Sequence, residues 1–265
     1  MLYLPRRLLV ALQASFNMIQ PTQRIDLHPA YILHTKPYRD TSLLIDVFSH
    51  EFGRLGMVAR GVRGSSAKKK QALQPFRRML LSWQSKSDLA SLTHWETDGL
   101  PTLLTGNNLL SGFYLNELIL RLTHRHDPHP VIFEHYQTAL IALAQSERPE
   151  QCLRRFELAL LEELGYGLIL DHEADTGAAI DAEQLYCYYL ERGPVIETGA
   201  CSGVPINGET LLELATADFR SERSLRQAKL LMRTILSRYL GDKPLKSREV
   251  FRQSLSAPGA GPNKA

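Results

Sequence analysis

At 265 residues and 44% hydrophobic content, the chain has the length and composition of one large globular domain or two small ones, and no apolar run approaches the roughly 20 residues of a membrane span. Its 31 Lys and Arg against 28 Asp and Glu give a formal net charge of only +3, but that charge is unevenly placed. Residues 52–87, FGRLGMVARGVRGSSAKKKQALQPFRRMLLSWQSKS, hold nine Lys or Arg and no acid; without them, 22 basic residues face 28 acidic ones. A local cluster of this kind suits the surface of a polyanion, whereas an evenly spread excess would chiefly affect solubility. Three cysteines, Cys152, Cys187 and Cys201, are an odd and sparse set; they are expected to form no disulfide framework and fit a reducing cytoplasm.

The first elements are patterned only from about residue 24. Residues 1–23 place basic residues before a short apolar run, but Gln13 interrupts it and no small-x-small cleavage site follows, so the stretch is read as a disordered extension rather than a leader. Met18 is an alternative start. From Ala30 to Trp95 the pattern is strand-like: AYILHTK, TSLLIDVFS after the turn-prone PYRD, RLGMVARGV after HEFG, RRMLLSW after a polar loop, then SDLASLTHWE. Five short strands in this length suit a small closed barrel, of the OB type or an SH3-like one.

After Pro101 the period changes. Leu115, Leu118, Ile119 and Leu122 fall on one helix face, VIFEHYQTALIALAQ reads the same way, and CLRRFELALLEELGYG carries a stripe that Gly165 is expected to stop. Residues 171–204 are irregular apart from the strand candidate YCYYLE. GETLLELAT and SLRQAKLLMRTILSRYL read as two further helices, and the tail 256–265 as disordered. The expected fold is α+β: a five-stranded barrel over 24–100, then a mainly helical domain over 101–255.

The basic run lacks a phosphate-loop pattern. It reads instead as a nucleic-acid track, with Arg54, Arg60 and Arg63 on or beside a strand, Lys68, Lys69 and Lys70 on a loop, and Arg77 and Arg78 opening the next strand. Phe52, Phe76 and Trp83 are either base-stacking platforms or barrel core. HRHDPHP supplies His124, His126 and His129 beside Asp127, but its place at a helix end suits cationic His better than a metal. No catalytic motif appears, and Glu157, Glu162 and Glu163 fit a solvated helix face. Neither an enzymatic activity nor a cofactor is expected.

Several stretches, in order, resemble the RecO recombination-repair mediators of bacteria: AYILHTKPYRDTSLLIDVFSHEFGRLGMVARGVRG, QALQPFRRMLLSW, SGFYLNELILRL, LRRFELALLEELGYG and GDKPLKSREVFRQ. The resemblance implies an OB-fold barrel, a helical bundle and a cytoplasmic, nucleoid-associated protein without turnover. It further implies binding of single- and double-stranded DNA, annealing of complementary strands, and action with RecR in loading RecA onto strands coated by single-strand-binding protein (SSB). The family also binds the acidic, apolar C-terminal tail of SSB. Here the matching element places Arg154 and Arg155 as cations and Leu153 and Phe156 as walls, with a weak Arg154–Glu157 pair as the competing use of Arg154. Many members carry a four-cysteine zinc module after LGYG. This chain reads DHEADTG there, with Glu173 and Thr176 near the first pair and only Cys201 resembling the second, so a zinc-free segment held by packing alone is expected. Rival readings are an RNA-binding OB protein, a protein adaptor and a nuclease.

Overall fold

The computed structural model describes residues 23–63, 73–85, 88–99, 102–146, 148–196 and 199–256. The expected disordered extension and tail lie outside them, apart from Gln23 and Ser256 at their inner ends. Five strands form a closed barrel in the order β1-β2-β3-β5-β4: β1 (Gln23–Tyr38), β2 (Ser42–Ser49), β3 (Gly53–Ala59), β4 (Arg78–Ser85) and β5 (Leu89–Thr97). β1 pairs with both β2 and β4, and β3 runs parallel to β5. This order and the single parallel seam settle the barrel as the OB type.

β1 serves both partners because it is bent. Its register with β4 shifts between Ile25 and His28, where Leu27 has a φ of 46°. A bulge of this kind turns the strand at a barrel corner. Side-chain alternation then divides the barrel residues between two cores. Ala30, Ile32, Ile45, Val47, Met57 and Trp83 fill the barrel interior. Tyr31, Leu33 and Phe48 point outward and join the core of the helical part.

Among the described residues six helices follow: α1 (Gly106–Leu122), α2 (Pro130–Gln145), α3 (Pro149–Glu163), α4 (Gly208–Thr216), α5 (Glu222–Leu240) and α6 (Lys246–Ser256). Proline opens α2 and α3, where its missing N–H costs no helical bond. Ser221 caps α5, accepting from Ser224 N at 3.0 Å. α3 stops as expected: Gly165 takes a φ of 80° and Tyr166 N reaches back to Leu161 O at 2.8 Å. Leu115, Leu118 and Ile119 of α1 meet Ile132, Phe133 and Tyr136 of α2 and Phe156 and Leu160 of α3, all at most 2% exposed. Each large side chain so buried stabilises the fold by about 1.5–3 kcal/mol.

Two expectations about the segment after α3 need correction. Residues 171–204 are not merely irregular: β6 (Leu185–Tyr189), β7 (Gly193–Val195) and β8 (Val204–Asn207) form an antiparallel sheet in the order β7-β6-β8. Nor does packing alone hold it, because Cys187 and Cys201 are joined as a disulfide with Cα atoms 5.5 Å apart. The pairing of β6 with β8 carries the second cysteine, fourteen residues on, back beside the first. Cys152 is free and buried.

Barrel and helices are also tied by polar contacts. Asn116 on α1 donates to Leu33 O at 2.8 Å and accepts from the Tyr136 hydroxyl at 2.5 Å. The loop after α1 docks against the barrel, with His126 N donating to Arg54 O at 3.0 Å and Arg125 bonding Asp46 at 3.0 Å. Gly53 is required at that contact: its φ is 63°, and a Cβ would run into the Asp127 backbone. The histidine-rich HRHDPHP thus serves as a docking loop. Among the described residues no three His, Cys, Asp or Glu side chains gather as a metal site.

Candidate nucleic-acid interface

The eight cations proposed from the sequence fall into four groups. Arg60 and Arg63 are exposed at the end of β3, on either side of the buried Val62. Arg63 is held by its backbone, which donates to Thr41 O at 2.9 Å, and by its Nη1, which donates to Arg39 O at 2.9 Å. Arg60 borders a cleft of about 520 Å³ between the β1–β2 turn and the β3–β5 seam, lined also by Arg39, Ser42 and Ser91. Lys68, Lys69 and Lys70 lie outside the described residues. Arg77 is half-buried just before β4.

Arg54 and Arg78 do different work. Arg54 Nη2 donates to Thr123 O at 3.0 Å, across the joint between β3 and the end of α1. Burial, and then the nearby positive charge of Arg125, hold its pKa below the ordinary arginine value. Arg78 Nη1 donates to Gln137 Oε1 on α2 at 3.0 Å, and its Nε lies 2.8 Å from Asp98 Oδ2. Both guanidiniums are engaged in joining barrel to helices, so neither is placed as an open phosphate contact. Their positions in an acid-free run gave no sign of this, because their partners lie on distant elements.

The aromatics sort the same way. Phe76 and Trp83 are 6% and 2% exposed, inside the two cores. Phe52 packs edge-on against Trp83 at 5.3 Å. Phe76 and Trp83 are core residues, and the half-buried Phe52 packs against the barrel core. The aromatic that borders the basic cleft is Tyr38, half-buried at the end of β1.

A second concavity, of about 180 Å³, lies among α1, α3, α5 and α6. Leu110, Tyr114, Leu153 and Phe251 make its apolar walls, and Lys229, Arg233 and Arg248 stand at its border. Of the four residues expected to bind a tail, Leu153 lines this groove. Arg154 also borders it but is 5% exposed and bound to Glu157, its Nε 2.6 Å from Glu157 Oε2 and its Nη2 on Oε1. The pair is therefore neither weak nor on a solvated face: Glu157 is fully buried and takes a third hydrogen bond from the Tyr114 hydroxyl at 2.6 Å. Burial opposes the Arg154 charge, but Glu157 more than offsets it and the Arg154 pKa stands above its ordinary value. Phe156 faces the core at 1% exposure, one of the residues around Tyr136. Arg155 points elsewhere, donating to Ala217 O at 2.8 Å and so capping the end of α4.

The groove's cations come from helices the sequence reading left without a role. Arg248 lies over the Tyr114 ring, 5.5 Å from its centroid. It belongs to α6, which begins on a borrowed cap: Glu117 of α1 accepts from Lys246 N and Ser247 N, both at 2.9 Å, and from the Ser247 hydroxyl at 2.7 Å. A carboxylate at a helix N-terminus satisfies N–H groups that have no partner within the helix.

Comparison with known proteins fits this two-part architecture. The family profile for the Recombination protein O N terminal matches residues 27–99, and that for the Recombination protein O C terminal matches residues 103–249. The chain is similar to the DNA repair protein RecO of Nitrosococcus oceani, 46% identical over 231 residues, covering 87% of this chain and 94% of the relative. It is 43% identical over 232 residues to DNA repair protein RecO of Aromatoleum aromaticum, covering 87% and 97%. With DNA repair protein RecO of Coxiella burnetii it shares 42% over 230 residues, covering 87% and 99%. The chain belongs to the RecO family of DNA repair proteins.

Proposed function

We propose that the protein is a non-enzymatic mediator of DNA repair and recombination that binds single- and double-stranded DNA on its barrel. It anneals complementary strands and, with RecR, helps load RecA onto SSB-coated DNA. The observation that carries the DNA-binding part is the position of Arg60 and Arg63: both are exposed where the acid-free run leaves β3, beside an open cleft at the barrel seam. Cations at such an edge displace condensed counterions from phosphates, which makes affinity steeply dependent on salt. Lys68, Lys69 and Lys70 extend the same run in sequence.

The groove among α1, α3, α5 and α6 supports binding of the SSB tail. An acidic peptide ending in an apolar side chain and a carboxylate needs an apolar hollow with cations at its border. Leu110, Leu153 and Phe251 supply the hollow. Because Arg154 is neutralised by Glu157, the charge offered to a ligand comes from Lys229, Arg233 and Arg248.

The test is a titration of labelled single-stranded DNA at several salt concentrations, using the wild type and a variant with Lys68, Lys69 and Lys70 all changed to Glu. Steep salt dependence in the wild type, with weaker binding and a shallower slope in the variant, is expected. Wild-type binding that ignores salt would refute the reading. A shared affinity for RNA at the same salt would favour an RNA-binding OB protein instead.

A further inference from the structure

The cleft at the barrel seam holds features that phosphate neutralisation does not require. Arg39, in the three-residue turn between β1 and β2, has a φ of 51°. A non-glycine residue in this left-handed region costs roughly 1–2 kcal/mol, and Gly or Asn is the ordinary choice there. Strained residues of this kind cluster at binding sites, and Arg39 lines the cleft. Its guanidinium lies over the Tyr38 ring, 5.3 Å from the centroid. The two bonds from Arg63, to Arg39 O and Thr41 O, fix the turn that carries the pair. Arg60 lines the same cleft, as do Thr41, Ser42 and Ser91. Among the described lining residues Asp40 is the single carboxylate.

We propose that this cleft is a subsite for one unpaired nucleotide of a DNA strand, its base stacked on the Arg39–Tyr38 pair and its phosphate met by Arg60. Guanidinium planes and aromatic rings both serve as platforms for unstacked bases. The subsite rests on the DNA-binding reading above and adds discrimination to it. Phosphate contacts are common to single strands and duplexes, whereas stacking requires a base face that a duplex keeps covered.

The strained turn provides the test. Arg39→Gly removes the guanidinium and relieves the backbone together, so its thermal midpoint stays at or above that of the wild type. Tyr38→Leu removes the ring without changing charge. Affinities are measured by fluorescence anisotropy for an oligothymidylate and for a duplex of equal length, at one salt concentration. Both variants are expected to lose about tenfold in single-strand affinity. Tyr38→Leu should leave duplex affinity within about twofold, because no phosphate contact is removed. Equal losses on both DNAs, or no loss on the single strand, would overturn the subsite while leaving DNA binding intact. A wild type that binds neither DNA would instead sink the underlying reading. Should Tyr38→Leu lower the thermal midpoint, the single-strand to duplex ratio of Arg39→Gly decides.

Discussion

Arg154 and Glu157 stand one turn apart on α3 with both carboxylate oxygens used, Nε to Oε2 at 2.6 Å and Nη2 to Oε1, while the Tyr114 hydroxyl adds a third bond at 2.6 Å. The two residues are 5% and 0% exposed. Removing one member of such a pair strands the other charge, at a cost of about 3–5 kcal/mol. Glu157→Gln and Arg154→Met should each destabilise on that scale, measured by urea unfolding. Arg154→Met combined with Glu157→Leu should cost far less than the sum. Additive losses would show the two residues to be energetically independent.

The groove predicts a separation of functions. Phe251→Ala removes an apolar wall and Arg233→Glu reverses a border charge, and both positions are away from the barrel. Each should weaken binding of a synthetic SSB-tail peptide roughly tenfold or more, as expected when a desolvated anchor or a charge partner is lost. DNA affinity should change little. Arg155→Ala, whose side chain caps α4, should leave peptide affinity unchanged. Isothermal titration with the peptide checks all three, and loss of peptide binding in Arg155→Ala alone would move the site to the end of α4.

The basic run predicts two classes of arginine. Arg60→Ala and Arg63→Ala should each lower the slope of log affinity against log salt by about 0.7 on single-stranded DNA, with little change in stability. Arg54→Ala should leave that slope alone and lower stability by about 1.5–3 kcal/mol, because it leaves the Thr123 carbonyl, on a buried residue, without its charged donor. Paired salt titrations and urea melts distinguish the classes. A slope change in Arg54→Ala would return it to the DNA track.

Much of the fold was legible because local patterns set it. Alternating residues bounded by PYRD and HEFG produced β1, β2 and β3, and the LGYG stop fell where Gly165 takes its left-handed turn. What escaped depends on partners far away in sequence. KSREVFRQSLS carries few apolar residues and no local N-cap of its own, so α6 went unseen; its cap is Glu117, 129 residues before Lys246. The same distance hid Arg248 and Phe251, and with them the α6 side of the groove. Arg154 and Glu157 looked like an exposed pair at i and i+3 because their burial is imposed by α1 through Tyr114. Cys187 and Cys201 have no spacing motif, and only the β6–β8 register unites them.

That disulfide predicts thiol sensitivity. Closing a loop of fourteen residues restricts the unfolded chain by about 3 kcal/mol in the chain-entropy account. Dithiothreitol should therefore lower the thermal midpoint of the wild type. A double Cys187→Ser, Cys201→Ser variant should start near the reduced value and ignore the reagent. A wild type unmoved by dithiothreitol, with free-thiol titration showing that Cys187 and Cys201 had been reduced, would show that the sheet stands without its bond.

The last prediction concerns acid. His28 sits at the β1 bend with its ring edge-on to Phe52 at 4.9 Å and to Trp83 at 6.0 Å, and its Nε2 accepts from Glu51 N at 3.4 Å. Only a neutral ring can accept that bond. Burial lowers the His28 pKa below 6.5, the Glu51 carboxylate opposes the shift, and His50 adds to it. The unfolded chain therefore binds more protons than the folded one in the interval below 6.5. The His28 contribution is complete above that pH and is lost as pH falls through the folded value. Thermal midpoints from pH 8 down to about pH 5 should fall more steeply for the wild type than for His28→Gln, which cannot be protonated there. The difference between the two curves isolates His28 from the other histidines. Parallel curves would mean that the ring stays neutral, or is equally protonated, in both folded and unfolded chains, and that the aromatic cluster at the bend does not depend on it.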